Sequence, residues 1–352
     1  MPDRLNYQER LAGVLLGTAV GDALGLPAEG LGPQVIASRW EGQWRHRFFC
    51  GRGMISDDTE HTAMVAQCLL EHPTDADAFQ RALAKKLRWW LLALPAGVGV
   101  ATAKAIVKLW MGFSPKRSGV ASAGNGPAMR SAVMGVFFAH DEVRRRQFVE
   151  ASARLTHTDT RAIVAARAVA EIAAFACSQA DGSPNALLLG LSPEPDWQRI
   201  VTEMCDARSS DMSVCDFAIR LGLGKGVSGY AYHSVPIAIY AWWRHRRDFQ
   251  AALESAMNCG GDTDTVGAIT GALAGADLGV RGIPEHLVRG VSDWPRSISW
   301  LRVLAERLDR QLSQTEPLGA LSLFWPALPL RNLGFLLIVL VHGLGRLIPR
   351  AR

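Results

Sequence analysis

The chain has 352 residues, 49% hydrophobic and 20% charged, which describes a globular protein, long for one domain yet within range. Its 38 Lys and Arg against 33 Asp and Glu give a net charge of +5. That charge suits an anionic ligand but is too weak to argue for nucleic acid, and no zinc-finger, RNA-recognition or heptad pattern appears. Six cysteines at 50, 68, 177, 205, 215 and 259 include no CxxC pair, so reduced thiols in a cytoplasmic protein are expected. Residues 1–10 are polar with no apolar stretch, so no signal peptide is expected.

In chain order, residues 10–26 (R-L-A-G-V-L-L-G-T-A-V-G-D-A-L-G-L) read as an apolar helix with Gly13, Gly17, Gly21 and Gly25 on one stripe. Glycine costs helix stability in water, so the stripe implies another helix at close range. The run is too short, and too interrupted by Asp22, to span a bilayer. Pro27-Ala28-Glu29-Gly30 ends it and leaves Glu29 at a helix exit, where the dipole disfavours an acid. Glu29 is therefore either a solvated loop acid or a functional one. Trp40, Trp44, Phe48 and Phe49 lie in an Arg-rich connector that covers the core or frames a ligand mouth.

Residues 51–60 read G-R-G-M-I-S-D-D-T-E and lead into an apolar helix through Ala63, Met64, Val65 and Leu69. Asp57 and Glu60 fit a capping box. Yet one cap needs only one acid, and adjacent Asp57 and Asp58 repel each other. Residues 75–94 read as a helix. From Ala78 to His140 there is no Asp or Glu, while Arg81, Lys85, Lys86, Arg88, Lys104, Lys108, Lys116, Arg117 and Arg130 lie in that span. Most of these bases belong on solvated faces; the functional alternative is a positive field over a diphosphate.

Gly124-Asn125-Gly126-Pro127 places proline at a helix start behind backbone N–H groups that suit an oxyanion or a sugar hydroxyl. T-H-T-D-T at 156–160 heads an alanine-rich helix, with His157 and Asp159 as either core group and cap or ligand-binding groups. Residues 185–211 read as loop-rich with short helices. Gly229-Tyr230-Ala231-Tyr232-His233 precedes an apolar helix, and both tyrosines either stack on a ring or pack in the core.

Residues 258–265 (N-C-G-G-D-T-D-T) then present a glycine turn, two acids and two threonines at the head of a small-residue helix over 266–275. Asp262, Asp264 and Thr265 are hard oxygen donors of the kind that hold Mg²⁺, Mn²⁺ or Ca²⁺ rather than zinc. Ordinary N-capping is the alternative. Two such acid clusters from opposite ends of the chain make sense together if they meet around a divalent ion that neutralises them.

No period-2 run of six appears, while helical apolar runs recur throughout, so the fold class is all-α. Residues 294–312 form an amphipathic helix. The run at 333–345 falls short of the roughly twenty residues that span a bilayer. Arg346, Arg350 and Arg352 follow it. A helix packed on the body or on a partner is the first expectation there. A peripheral membrane contact anchored by the terminal arginines is the second.

Six stretches in order, 13–29, I-S-D-D-T-E (55–60), G-N-G-P-A-M-R (124–130), T-H-T-D-T (156–160), G-Y-A-Y-H (229–233) and G-G-D-T-D-T (260–265), resemble the ADP-ribosylglycohydrolase family. That family includes the dinitrogenase-reductase-activating glycohydrolases. The resemblance implies an all-α orthogonal helical bundle over 1–290, with a C-terminal helical extension over 291–352. It implies two Mg²⁺ ions, with Mn²⁺ as a substitute, held by Ser56, Asp57, Asp58, Asp262, Asp264 and Thr265. Ser56 stands where the family often has threonine. Glu29 and Asp58 match catalytic positions, and Asn125, Gly126, His157 and Tyr230 match substrate-lining ones. One departure is plain: some nitrogenase-associated members carry a catalytic acid between the first cluster and the G-N-G loop, in the span where this chain has none.

The implied reaction is metal-dependent removal of ADP-ribose from protein side chains, most readily from arginine, at the distal ribose. The implied partners are an ADP-ribosylated protein and an ADP-ribosyltransferase counterpart. Two other readings fit the same clusters: a protein that occludes an ADP-ribosyltransferase, and a metal-dependent nucleotide phosphohydrolase.

Overall fold

A computed structural model describes residues 7–40, 44–178 and 182–347, with side chains to residue 343. Most of the polar N-terminal stretch and the terminal Arg350 and Arg352 lie outside the described residues, and Arg346 is described by its backbone alone. The chain is all-α, and among the described residues it forms only isolated bridges in place of strands. The helices of the first half are α1 (Tyr7–Gly25), α2 (Pro33–Trp40), α3 (Asp57–Glu71), α4 (Ala76–Leu92), α5 (Val100–Trp110), α6 (Pro115–Ser118), α7 (Ala132–Phe137), α8 (Glu142–Arg154) and α9 (Thr160–Cys177). Those of the second half are α10 (Asn185–Leu189), α11 (Pro195–Ser209), α12 (Val214–Arg220), α13 (Ala231–Arg244), α14 (Phe249–Met257), α15 (Thr263–Leu278), α16 (Glu285–Gly290), α17 (Ile298–Leu312) and α18 (Ala327–Leu347).

The glycine stripe of α1 meets a second one on α15. A Cβ at Gly13, Gly17 or Gly21 would lie within about 2 Å of the carbonyl oxygen of Gly275, Gly271 or Gly267 in turn. The pairing order makes the helices antiparallel. Only glycine allows this backbone approach, and it brings the exit of α1 beside the start of α15, where Thr263 Oγ1 donates to Gly25 O at 2.8 Å. The residues after α1, Glu29 included, are thereby placed next to Asp262 and Asp264. Helix α1 is long and apolar enough to cross a membrane, but it is enclosed by protein along its whole apolar window.

Around this pair pack α3, α7, α9, α13 and α14, and α17 buries Leu301, Leu304 and Leu308 against α1 and α3. The segment expected to be loop-rich, 185–211, instead holds a full helix. Pro195 sits in the first turn of α11, and Trp197, Ile200, Val201 and Met204 are buried at helical spacing. Helix α18 is longer than the apolar run at 333–345, because Pro329 falls in its first turn, where its missing N–H is not needed. One face of α18 packs on the body through Leu328, Asn332 and Phe335. Asn332 Nδ2 donates to Ala93 O at 2.7 Å, and Arg331 reaches Asp293 at 2.5 Å.

Candidate active site

The turn ahead of α15 needs both of its glycines. Gly260 and Gly261 have φ of +70° and +84°, and a Cβ on Gly261 would lie 1.9 Å from Val227 O. Backbone bonds stitch the turn to both neighbours: Gly261 N–H donates to Leu31 O at 2.8 Å, and Asp262 N–H donates to Val227 O at 2.8 Å. Asp262 occupies the N-cap position, yet its carboxylate makes no cap bond to its own helix. It accepts instead from Asn125 Nδ2 at 2.6 Å. Simple capping therefore does not account for this acid.

The first cluster is held by a residue that the sequence presents only as a break in hydrophobicity. Asp22, fully buried in α1, accepts from Ser56 N–H at 2.9 Å, from Thr59 N–H at 3.2 Å and from Thr59 Oγ1 at 2.5 Å. Its carboxylate thus ties the start of α3 to the central helix pair. Burial raises the Asp22 pKa to about 6, against the opposing pull of these hydrogen bonds. The expected capping box does not form. Ser56 is the N-cap of α3, while Glu60 turns inward to Arg296 at 2.6 Å and Trp90 Nε1 at 2.5 Å. A buried guanidinium outcompetes the helix terminus for that carboxylate.

The two clusters meet. Thr265 Oγ1 donates to Asp58 Oδ2 at 3.3 Å, across 207 residues of sequence. Ser56 Oγ donates to the same oxygen at 3.3 Å. A cleft of about 540 Å³ is lined by Glu29, Asp57, Asp262, Asp264 and Thr265, with Asn125, Gly126 and His157 across from them. The Oδ1 atom of Asp264 in its wall, and that of Asp58, which is buried beside Thr265 and does not line the cleft, have no hydrogen-bond partner. An unpaired buried carboxylate oxygen is costly unless something positive or protic meets it. The N-termini of α3 and α15 both point here and offset part of that cost.

The acids burden one another. Burial pushes the Asp57 carboxyl well above the usual carboxylate range, and Asp22, Glu60 and Glu29 push it the same way. Asp58 is raised by burial, then by Asp22, Asp57 and Asp262. Asp264 is raised by burial, then by Glu29, Asp262 and Asp58. Among the described residues no three His, Cys, Asp or Glu side chains already stand at the spacing of a closed metal cage. Two of the donors here, Ser56 and Thr265, are hydroxyls, which such a grouping leaves out. The donor chemistry, all hard oxygen with orphaned carboxylate atoms, fits a divalent cation of the Mg²⁺ type.

The opposite wall is the G-N-G loop draped over His157. A Cβ on Gly124 or Gly126 would lie 3.1 Å from the imidazole ring, so a side chain at either position would press on His157. The N–H groups of Gly124 and Asn125 are already engaged, by Ser122 Oγ and Gly229 O, so the loop contributes shape more than oxyanion donors. Burial and the nearby Arg130 lower the His157 pKa to about 3, so the ring is a neutral hydrogen-bonding group at working pH. Tyr230 is displaced from its expected place. It follows Gly229 in the cleft wall but packs under Arg161, whose guanidinium carbon lies 5.7 Å from its ring centre.

The basic span does not supply the cleft: no lysine or arginine is among the residues lining it. Arg130 is wholly buried and donates to Ser152, Thr156 and His61, a structural role that depends on partners from the end of α8 and from α3.

A family model described as ADP-ribosylglycohydrolase matches residues 3–317. An uncharacterised protein of Archaeoglobus fulgidus is 34% identical, covering 81% of this chain and 92% of its own. The ADP-ribosyl-[dinitrogen reductase] glycohydrolase of Rhodospirillum rubrum is 26% identical over 90% of this chain and 98% of its own. The ADP-ribosylarginine hydrolase Tri1 of Pseudomonas putida is 26% identical over 89% and 81% respectively. A solved ADP-ribosylglycohydrolase-related protein complex superposes with a TM-score of 0.60 at 28% identity, over 87% of this chain and 99% of that one. The chain belongs to the ADP-ribosylglycohydrolase family, and it is an enzyme of that family.

Proposed function

We propose that the enzyme hydrolyses the glycosidic bond between ADP-ribose and arginine side chains of proteins, with Mg²⁺ bound by Ser56, Asp57, Asp58, Asp262, Asp264 and Thr265. Mn²⁺ would serve in its place. The observation that carries this reading is the contact between the two acid clusters, Thr265 to Asp58, beside two orphaned carboxylate oxygens. Divalent ions bound there supply positive charge for a ribose diol and make water acidic near neutral pH. The likeness to the ADP-ribosylarginine hydrolase Tri1 supports arginine as the modified residue.

The chain's own groups divide the remaining work. Asn125, donating to Asp262, fixes the orientation of that carboxylate. His157, neutral, offers hydrogen bonds to uncharged hydroxyls. Glu29, exposed at the cleft, accepts a proton from a ribose hydroxyl or water at its carboxylate, with Asp58 assisting. Guanidine departs readily as guanidinium, so the lack of an acid between Ala78 and His140 leaves the reaction possible.

Defined peptides carrying ADP-ribose on arginine or on serine test the linkage. Release of ADP-ribose at least ten times faster from the arginine peptide is expected. Preference for serine, or release of phosphate instead, rejects the reading.

The raised carboxyl pKa values carry a second consequence. A carboxyl with a raised folded pKa holds its proton more tightly in the folded state, so it stabilises the fold as pH falls and competes with a cation. Buried His61 and His157, held neutral, act with the opposite sign. Overall Tm against pH therefore mixes both, and the Mg²⁺-dependent increment in Tm is the informative readout. It should shrink between pH 8 and pH 6, whereas carboxylates at their ordinary pKa near 4 would leave it constant across that window.

A further inference from the structure

Two stretches of the chain contain no acid: residues 78–140, and everything after Glu316. In the fold they lie side by side. The Trp89 and Trp325 rings are 5.9 Å apart, the Trp89 and Trp110 rings are 6.2 Å apart, and Asn332 of α18 bonds to Ala93 at the end of α4. The outward faces there are apolar. On α5, Val100 and Val107 share the exposed face with Lys104, and exposed Met111 follows it; on α4, exposed Trp89 and Leu92 share a face with Lys85, with half-buried Arg88 beside them. On α18, Leu330, Leu333, Leu337, Leu340 and Val341 fall on one helical stripe, and each is more than half exposed, from 54% to 74%. Elsewhere on the surface acids and bases alternate in ion pairs such as Arg154–Glu150, Arg220–Glu203 and Arg289–Glu285.

We propose that this composite face, the outer sides of α4, α5 and α18 with their tryptophans, docks on an anionic lipid bilayer. Charge complementarity selects the occupant. A soluble partner's interface carries a polar rim of both signs. Bases outnumber acids on this face: its two acids, Asp77 at the start of α4 and Glu71 in the groove beside Lys85 and Trp89, are each paired with a lysine, Lys116 and Lys86, which leaves Lys85 and Lys104 among apolar groups, as on in-plane interfacial helices. The apolar stretch of α18, 327–343, is shorter than a spanning helix, and its inner side is committed to the body through Phe335 and Asn332, so it lies in the membrane surface rather than across it. Arg88 stacked over Trp110 at 5.4 Å joins a cation to an aromatic ring at one edge, an arrangement suited to headgroup depth. Val100 belongs both to this face and to the cleft lining, so docking sets the cleft mouth beside the bilayer.

Flotation of the full chain with vesicles tests this without any catalytic assay, so its failure is separate from failure of the proposed reaction. In 0.1 M NaCl the chain should float with phosphatidylcholine vesicles containing 30% phosphatidylglycerol and stay behind with pure phosphatidylcholine. Leu333→Glu with Leu337→Glu should abolish flotation with Tm unchanged. Lys85→Glu with Lys104→Glu, on exposed positions of otherwise intact helices, should weaken it at least about tenfold. Flotation that ignores phosphatidylglycerol, or that survives both double variants, overturns the proposal. So does a chain that never floats, including one whose face is covered by a second copy, seen as a dimer in light scattering.

Discussion

Replacing Asp58 or Asp264 by asparagine is expected to lower ADP-ribose release by at least about a thousandfold, the loss of several kcal/mol of charge stabilisation at the reacting ribose. The same changes should raise the Tm of the metal-free protein, by about 2 °C or more. The two effects have one cause. Each carboxylate is buried with an unpartnered oxygen and is pushed towards its neutral form by neighbouring acids. Asparagine keeps the shape and one acceptor but removes the charge. A fold gains from that, while a site built to gather positive charge loses its purpose. Hydrolysis by purified variants, read beside melting curves in EDTA, checks both. Retained activity contradicts the assigned role, and a fall in Tm contradicts the strain.

The second large effect concerns the helix pair that holds the site together. Gly17→Ala is expected to cost about 3 kcal/mol or more, and Gly17→Leu to prevent folding, because the new Cβ would lie 2.1 Å from Gly271 O. That neighbour is helix backbone and cannot swing aside. Gly334 in α18 provides the control, since nothing lies within 4 Å of a Cβ there. Gly334→Ala should be neutral or stabilising by up to about 1 kcal/mol. Denaturant unfolding of both variants gives the comparison. Equal, small effects would contradict the close antiparallel pairing of α1 with α15.

Parts of this architecture are legible in the sequence because their chemistry is local. A glycine every four residues announces a close helix neighbour whatever that neighbour is. Adjacent acids at a helix start, Asp57 and Asp58, exceed what capping needs. Other parts depend on distant partners. The stripe Gly267, Gly271 and Gly275 reads as a small-residue helix, but its register against α1 exists only in three dimensions. Asp22 reads as an interruption. The available signal is that a carboxylate within a buried apolar helix must find donors, and it finds them on α3. Arg130 sits among solvated bases in sequence, yet Ser152, Thr156 and His61 enclose it. Glu60 fits a capping box by spacing, and a buried arginine 236 residues away claims it instead. Tyr230 has the right neighbours for the cleft, but Arg161 holds its ring to one side.

The most direct test of the account is release of ADP-ribose from an arginine-modified protein by the purified enzyme, after EDTA treatment and then with Mg²⁺ or Mn²⁺ restored. Converging acids that exist to hold cations predict no release in EDTA and recovery with either ion. Full activity in EDTA, with no metal remaining by elemental analysis, would contradict it.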